Sequence, residues 1–321
     1  MSENLNTTMN ETQPSSCFNP TAEKIGKTFA YCLFFLVSLI GNTVIGIIVY
    51  KTKTMRKPIN FFIVNMAMSD LLYPIFAIPH HTRMFYIDSW LIGGPLGQAL
   101  CKLVFFLTDT SALVSIQSLV LVTVDRFGAV VFPLRYPLIS SKLCPFFILA
   151  TWIVAMAVLS PYLFALKTFE YRGGLGCRMH WNEVFGESSS FKNYFAAILV
   201  VFLCFPLVMI AILYIIIYCK LKSQKIPGEQ SAHAEAEQRR QGKRNVLKMA
   251  IAIVAGFGIC WLPLIIRYFL DFFASDMIRS CGFQYFSSVA FLMVNTNCAM
   301  NPCICFIFNR NYRERLKTLL R

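Results

Sequence analysis

"NTNCAMNPCICFIFNRNYRERLK", residues 295–317, decides how the rest of the chain is read. It starts apolar, carries the pair Asn301-Pro302 in mid-run, and then turns abruptly to Arg, Asn and Lys. A proline inside a helix removes a backbone hydrogen bond and collides with the preceding turn, at a cost of about 3 kcal/mol or more. Such a defect survives in an apolar span where it lines a polar interior, so the sequence predicts a helix unwound at Asn301-Pro302 and a movable joint there. Residues 309–321 put Tyr312, Leu316, Leu319 and Leu320 near one face and Arg313, Arg315 and Lys317 elsewhere, which predicts a short amphipathic helix in a membrane interface.

Working outward, the 321 residues are 56% hydrophobic and only 14% charged, a membrane-protein composition. A bilayer core takes roughly 20 apolar residues per helix. Seven such runs occur, at about 28–50, 59–82, 98–125, 145–167, 193–219, 246–270 and 284–308. The predicted fold is all-α: a seven-transmembrane helix bundle over 28–308 with a polar cytoplasmic loop at 222–245, an N-terminal segment 1–27, and the amphipathic helix and short tail 309–321. No internal repeat of the kind common in transporters is visible.

Residues 1–24 lack the apolar middle of a cleavable signal peptide, so the first helix is expected to direct insertion. Asn6 and Asn10 begin glycosylation sequons, which place the N-terminus outside. With that orientation, 20 of the 30 Lys and Arg residues fall in or beside cytoplasmic loops and tail, in keeping with the positive-inside rule. The net charge of +14 then reads as orientation and attraction to anionic inner-leaflet lipid, not nucleic-acid binding. A multi-pass plasma-membrane protein is expected.

Of the 12 cysteines most sit in apolar runs and read as small hydrophobes. Cys101 starts the third helix and Cys177 lies in the outer loop "YRGGLGCRMHW"; a disulfide between them would tie that loop over the bundle. Cys17 and Cys281 could form a second bridge. Catalytic signals are weak. Gly26-Lys27-Thr28 has Thr21 where a phosphate loop needs glycine, and His80-His81 lacks a Cys or carboxylate at metal-site spacing. No catalytic residue, cofactor or enzymatic activity is assigned.

Ionisable groups at membrane depth are expensive and usually functional. Asp70 sits midway along helix two, and other helices offer Asn42, Ser115, Asn297 and Asn301. Converged, these oxygens suit a small hard cation such as sodium or a titrating proton; equally, they suit a polar knot that joins helices by hydrogen bonds. Pro263 beside Trp261 in helix six, and Pro206 in helix five, predict further kinks. Kinked helices around a buried charge point to a conformational switch.

The chain resembles a rhodopsin-like (class A) G-protein-coupled receptor over nearly its whole length. The resemblance rests on Gly41-Asn42, "NMAMSDLL" ending at Leu72, Trp90 before Cys101-Lys102, Asp125-Arg126-Phe127, Trp152, Pro206 with Tyr214, "FGICWLP" (257–263) and Asn301-Pro302 through Cys305, in that order. It implies several roles. Cys101–Cys177 would be the family disulfide, and Asp70, Ser115, Asn297 and Asn301 an allosteric sodium pocket. Ile116, Pro206, Phe257 and Trp261, with Tyr214, Pro263, Pro302 and Cys305, would belong to the activation switch. Asp125 would hold Arg126 until a heterotrimeric G protein takes it up. This sequence departs from the pattern at Phe127 and Cys305, where the family usually has tyrosine, and a thiol is too short and weak a hydrogen-bonder to reach Tyr214 through water. Lys243-Arg244 stands where an acidic partner for Arg126 is common. Thr318 is the only Ser or Thr within 309–321, so these residues are not expected by themselves to recruit arrestin through phosphorylation.

An opsin would need a lysine in helix seven, and residues 284–308 hold none. Monoamine receptors place an aspartate where Thr108 stands; Asp109 is one step on and points about 100° away. The wider pattern resembles neuropeptide receptors. In that reading His81, Thr108, Asp109, Arg178, Trp261, Arg267, Tyr268, Asp271, Phe291 and Asn295 line an outer ligand pocket. Asp271 would meet an arginine near an amidated peptide terminus, or else pair with Arg267 at i,i+4 spacing. The competing readings are a monoamine or lipid receptor and a seven-helix ion or proton transporter.

Overall fold

The computed structural model describes residues 20–87, 89–134, 137–171, 174–223, 248, 251–270 and 280–320. Seven helices are long and apolar enough to cross a membrane. They are α1 (Pro20–Lys51), α2 (Pro58–Met84), α3 (Gly94–Val131), α4 (Cys144–Ala165), α5 (Phe191–Ser223), α6 (Ile251–Leu270) and α7 (Cys281–Phe308), followed by α8 (Arg310–Leu320). The chain is therefore a multi-pass membrane protein. Asn6, Asn10, Cys17, Asp271, Lys243-Arg244 and nearly all of the 222–245 loop lie outside the described residues.

Helix α1 begins at Pro20, eight residues before the apolar run that starts at 28, so part of the segment assigned to 1–27 is helical. Proline suits a first helical position, and the pair Glu23–Lys27 at i,i+4 supports the polar first turns that hydropathy alone misses. The bundle exterior departs from soluble-protein logic: α4 and α5, though apolar, expose most of their length, as lipid-facing helices do. The core cluster runs along α1, α2, α3, α5, α6 and α7, with Ile45, Phe62, Ile116, Ile210 and Phe257 buried in it.

Two spans carry local π-turns at or just before a proline. Tyr73–Ala77 is a π-turn around Pro74 in α2, and Val200–Cys204 is one just before Pro206 in α5. A wider turn lets the helix continue past a residue that has no N–H. Helix α7, by contrast, runs without interruption through Pro302, so the unwinding expected at Asn301-Pro302 does not occur.

The segment after α4 is an antiparallel hairpin, β1 (Leu166–Tyr171) and β2 (Gly174–Met179), where the sequence showed only a loop. Cys177 is bonded to Cys101, joining β2 to the start of α3. Gln98 of α3 reinforces the join: its amide donates to Leu166 O at 2.9 Å and its carbonyl accepts from the Thr168 N–H at 2.7 Å. Glu183, just past the hairpin, accepts from Lys167 and meets His180, which together hold its carboxyl below the usual range. Cys281 is disulfide-bonded at the start of α7.

Candidate functional site

The carbonyl that Pro302 leaves without a donor is that of Cys298, one helical turn back. Helix α1 supplies the missing bonds: Asn42 Nδ2 donates to Cys298 O at 3.0 Å and Ser38 Oγ at 3.2 Å. Ser38 also lies 3.4 Å from the Asp70 carbonyl, the one that Pro74 cannot serve. Closeness permits this, because a Cβ at Gly41 would sit 2.6 Å from Pro302 Cβ. The Asn-Pro pair is thus compensated by a neighbouring helix, and Asn42 is used there, not at Asp70.

Asp70 is buried, with Ser115 Oγ donating to Oδ1 at 2.5 Å and Asn301 Nδ2 donating to Oδ2 at 2.6 Å. Ser69 bonds Ser115 at 2.9 Å. Asn297, one turn before Asn301 on α7, is buried, and its Oδ1 and that of Asn301 have no hydrogen-bond partner among the described residues. One carboxylate and unpartnered amide oxygens form a donor set that fits a small hard cation. A second knot, Trp152 Nε1 to Asn65 Oδ1 at 2.9 Å and Asn65 Nδ2 to Ser118 Oγ at 2.9 Å, joins α4, α2 and α3.

At the end of the bundle away from the disulfide, Arg126 donates to the buried Asp125 through Nη2 and through Nε at 3.1 Å. Tyr214 and the free, fully buried Cys305 share the apolar cluster with Ile116 and Phe257. Phe257 stacks on Trp261 with ring centres 5.7 Å apart. Pro263 follows Trp261 within unbroken α6 helix.

Two cavities open toward the disulfide end. A narrow one of about 500 Å³ is lined by His81, Thr108, Asp109, Arg178, Trp261, Tyr268, Phe291 and Asn295, among others. A wider one of about 1090 Å³ adds Arg267 and shares His81, Arg178 and Phe291. Nine of the ten residues predicted for an outer pocket therefore line the two cavities, and Asp271 lies outside the described residues. Thr108 and Asp109 both line the narrow cavity, so the turn between them does not put either out of reach. Asn295 is held by the Tyr73 hydroxyl, which donates to its Oδ1. The sequence reading missed Tyr73, Tyr162, Phe195 and His80 in this lining. Their only signal was aromatic character within apolar spans, which core packing produces equally well. His80 packs edge-on to Phe105 and near Trp90, and no group of three or more His, Cys, Asp or Glu that could hold a metal occurs among the described residues.

Comparison with known proteins agrees with this architecture. The 7 transmembrane receptor (rhodopsin family) profile matches residues 41–304. A QRFP-like peptide receptor of Branchiostoma floridae is 30% identical over 310 residues, covering 94% of this chain and 79% of its own length. The neuromedin-K receptor of Homo sapiens is 29% identical over 294 residues, covering 92% of this chain and 61% of its own length. Neuropeptide FF receptor 1 of Rattus norvegicus is 30% identical over 305 residues, covering 91% and 69%. The chain spans about three-fifths of the neuromedin-K receptor. With its seven spans, its disulfide and this match, the chain belongs to the rhodopsin family of seven-transmembrane receptors, which signal and are not enzymes.

Proposed function

We propose that the chain is a plasma-membrane receptor with its N-terminus outside, which binds an extracellular peptide and activates heterotrimeric G proteins by opening its cytoplasmic face. The observation that carries this reading is the continuity of the site: the narrow cavity has Trp261 in its wall, Trp261 stacks on Phe257, and Phe257 and Ile116 lie in the cluster that holds Tyr214 and Cys305. A ligand that packs differently against Trp261 in two states biases both. Moving the population from 1:99 to 99:1 takes about 5.5 kcal/mol of differential binding. Two relatives carry peptide-receptor names, which favours a peptide over an amine or lipid.

In this reading Asp125 holds Arg126 in the resting state and the active state frees it for the G protein. Second-messenger output in cells challenged with amidated peptides is the test: Arg126→Ala should reduce the maximal response at least tenfold with surface expression kept. An undiminished response sinks the assignment.

Asp70, Ser115, Asn297 and Asn301 are proposed to hold a sodium ion, whose charge would favour the closed packing around Asp70. A ligand bound only to the folded state at tenfold its Kd contributes about 1.4 kcal/mol. Purified receptor should melt higher in sodium chloride than in choline chloride, and Asp70→Asn should erase the difference; no difference in the parent chain refutes the site.

A further inference from the structure

Four cationic side chains from four elements line the wide cavity: Lys27 of α1, Arg83 of α2, Arg178 of β2 and Arg267 of α6. No Asp or Glu lines it among the described residues. Two of the four are engaged. Lys27 pairs with Glu23, and Arg83 donates to the Ser89 carbonyl while lying over the Trp90 ring at 5.4 Å.

Arg178 and Arg267 differ. Neither has an ion-pair partner among the described residues. Arg178 rests on Phe169 at 5.5 Å, and Arg267 lies 5.1 Å from Tyr268 and 5.0 Å from Phe291. Arg267 Nε is also within 3.3 Å of Ser287 Oγ. A guanidinium stacked on an aromatic face leaves its in-plane N–H donors available, and those match the two oxygens of a carboxylate. Stacking on Phe169 and Phe291, which themselves line the cavity, keeps both arginines with the cavity instead of the lipid face. Arg178 also lines the narrow cavity, where Asp109 is the one carboxylate among the lining residues. Among the described residues, then, the wide cavity carries four cations and no carboxylate, while the narrow one sets Asp109 against Arg178.

We infer that the ligand is an acidic peptide whose carboxylate side chain is held by Arg178 and Arg267 in the wide cavity while an apolar end enters the narrow one. This deepens the peptide-receptor reading and rests on it. Cationic walls also raise the local concentration and the on-rate of an acidic ligand, an effect that weakens with salt. An acidic group supplies the partner that these two cations lack among the described residues.

The experiment immobilises the full chain in phosphatidylcholine nanodiscs. It is offered equimolar pools of hexapeptide amides, one pool with two adjacent glutamates at otherwise randomised positions and one with two lysines. The acidic pool should be enriched at least tenfold over the basic pool. The ratio should fall to near unity for the Arg178→Gln/Arg267→Gln double variant and take an intermediate value for Arg178→Lys/Arg267→Lys, which keeps the charge and loses the planar donor pair. Equal or greater capture of the lysine pool, capture of the acidic pool unchanged in the glutamine variant, or capture of neither pool by receptor with its normal melting temperature each overturns the inference. Free glutarate separates the two readings. If it displaces the acidic pool at the peptides' own concentration, the arginine site stands and the peptide reading falls; preference for the lysine pool keeps a peptide and removes the arginine site.

Discussion

Gly41 has to lack a side chain: its Cβ would lie 2.6 Å from Pro302 Cβ and 2.7 Å from Cγ, and a proline ring cannot swing aside. Gly46, on the same helix, would meet nothing within 4 Å. Overpacking a tight contact costs about 1–3 kcal/mol, whereas alanine in an open helix position gains up to about 1 kcal/mol over glycine. Thermal unfolding of the purified chain should therefore show Gly41→Ala several degrees below the parent and Gly46→Ala level with it or above. If the two variants melt alike, the close approach of α1 to α7 is not what the glycine serves.

Among the elements, α8 depends on one residue. Tyr312 is fully buried, packs edge-on against Phe306, and its hydroxyl lies 3.3 Å from Asn60 Oδ1. Burial raises its phenol well above the usual pKa, so the ring stays neutral. Leu316 and Leu319 are half-buried on the same side, while Arg313 and Arg315 are exposed, as the amphipathic pattern predicts. Removing a buried aromatic ring costs about 3–5 kcal/mol, and removing one hydrogen bond about 1 kcal/mol. Tyr312→Ala should make α8 much more susceptible to trypsin at its arginines, and Tyr312→Phe should change it little. Equal cleavage of the two would mean that the ring does not anchor the helix.

For the whole molecule, the Cys101–Cys177 bond matters because it joins segments 76 residues apart and holds the hairpin beside both cavities. Loss of such a link costs about 2–5 kcal/mol in small domains. The paired Cys101→Ala/Cys177→Ala variant should melt lower than the parent, and the amides of β1 and β2 should exchange faster. Gln98 supplies a further attachment, beside the Trp90–Leu175 bridge, so exchange should rise further when Gln98→Ala is added. Hairpin exchange that stays at the parent rate would place the anchoring elsewhere.

Seven spans, their order, the amphipathic α8 and the polar residues around Asp70 are legible in the sequence because each rests on a local signal: apolar length, helical periodicity, or a costly charge at membrane depth. Part of the pocket lining is legible by resemblance. What only the tertiary structure decided is where unsatisfied groups find partners. Pro302 predicts a backbone defect, but the continuity of α7 depends on Ser38 and Asn42, some 260 and 256 residues from Cys298, reaching its carbonyl from another helix. The hairpin likewise depends on Cys101 and Gln98 of α3 and carries no strong strand pattern of its own. Local pattern sets which segments become helices because their hydrogen bonds close within a few residues. Contacts that compensate a proline, pair a charge or pin a hairpin close across the bundle, and no short-range pattern encodes them.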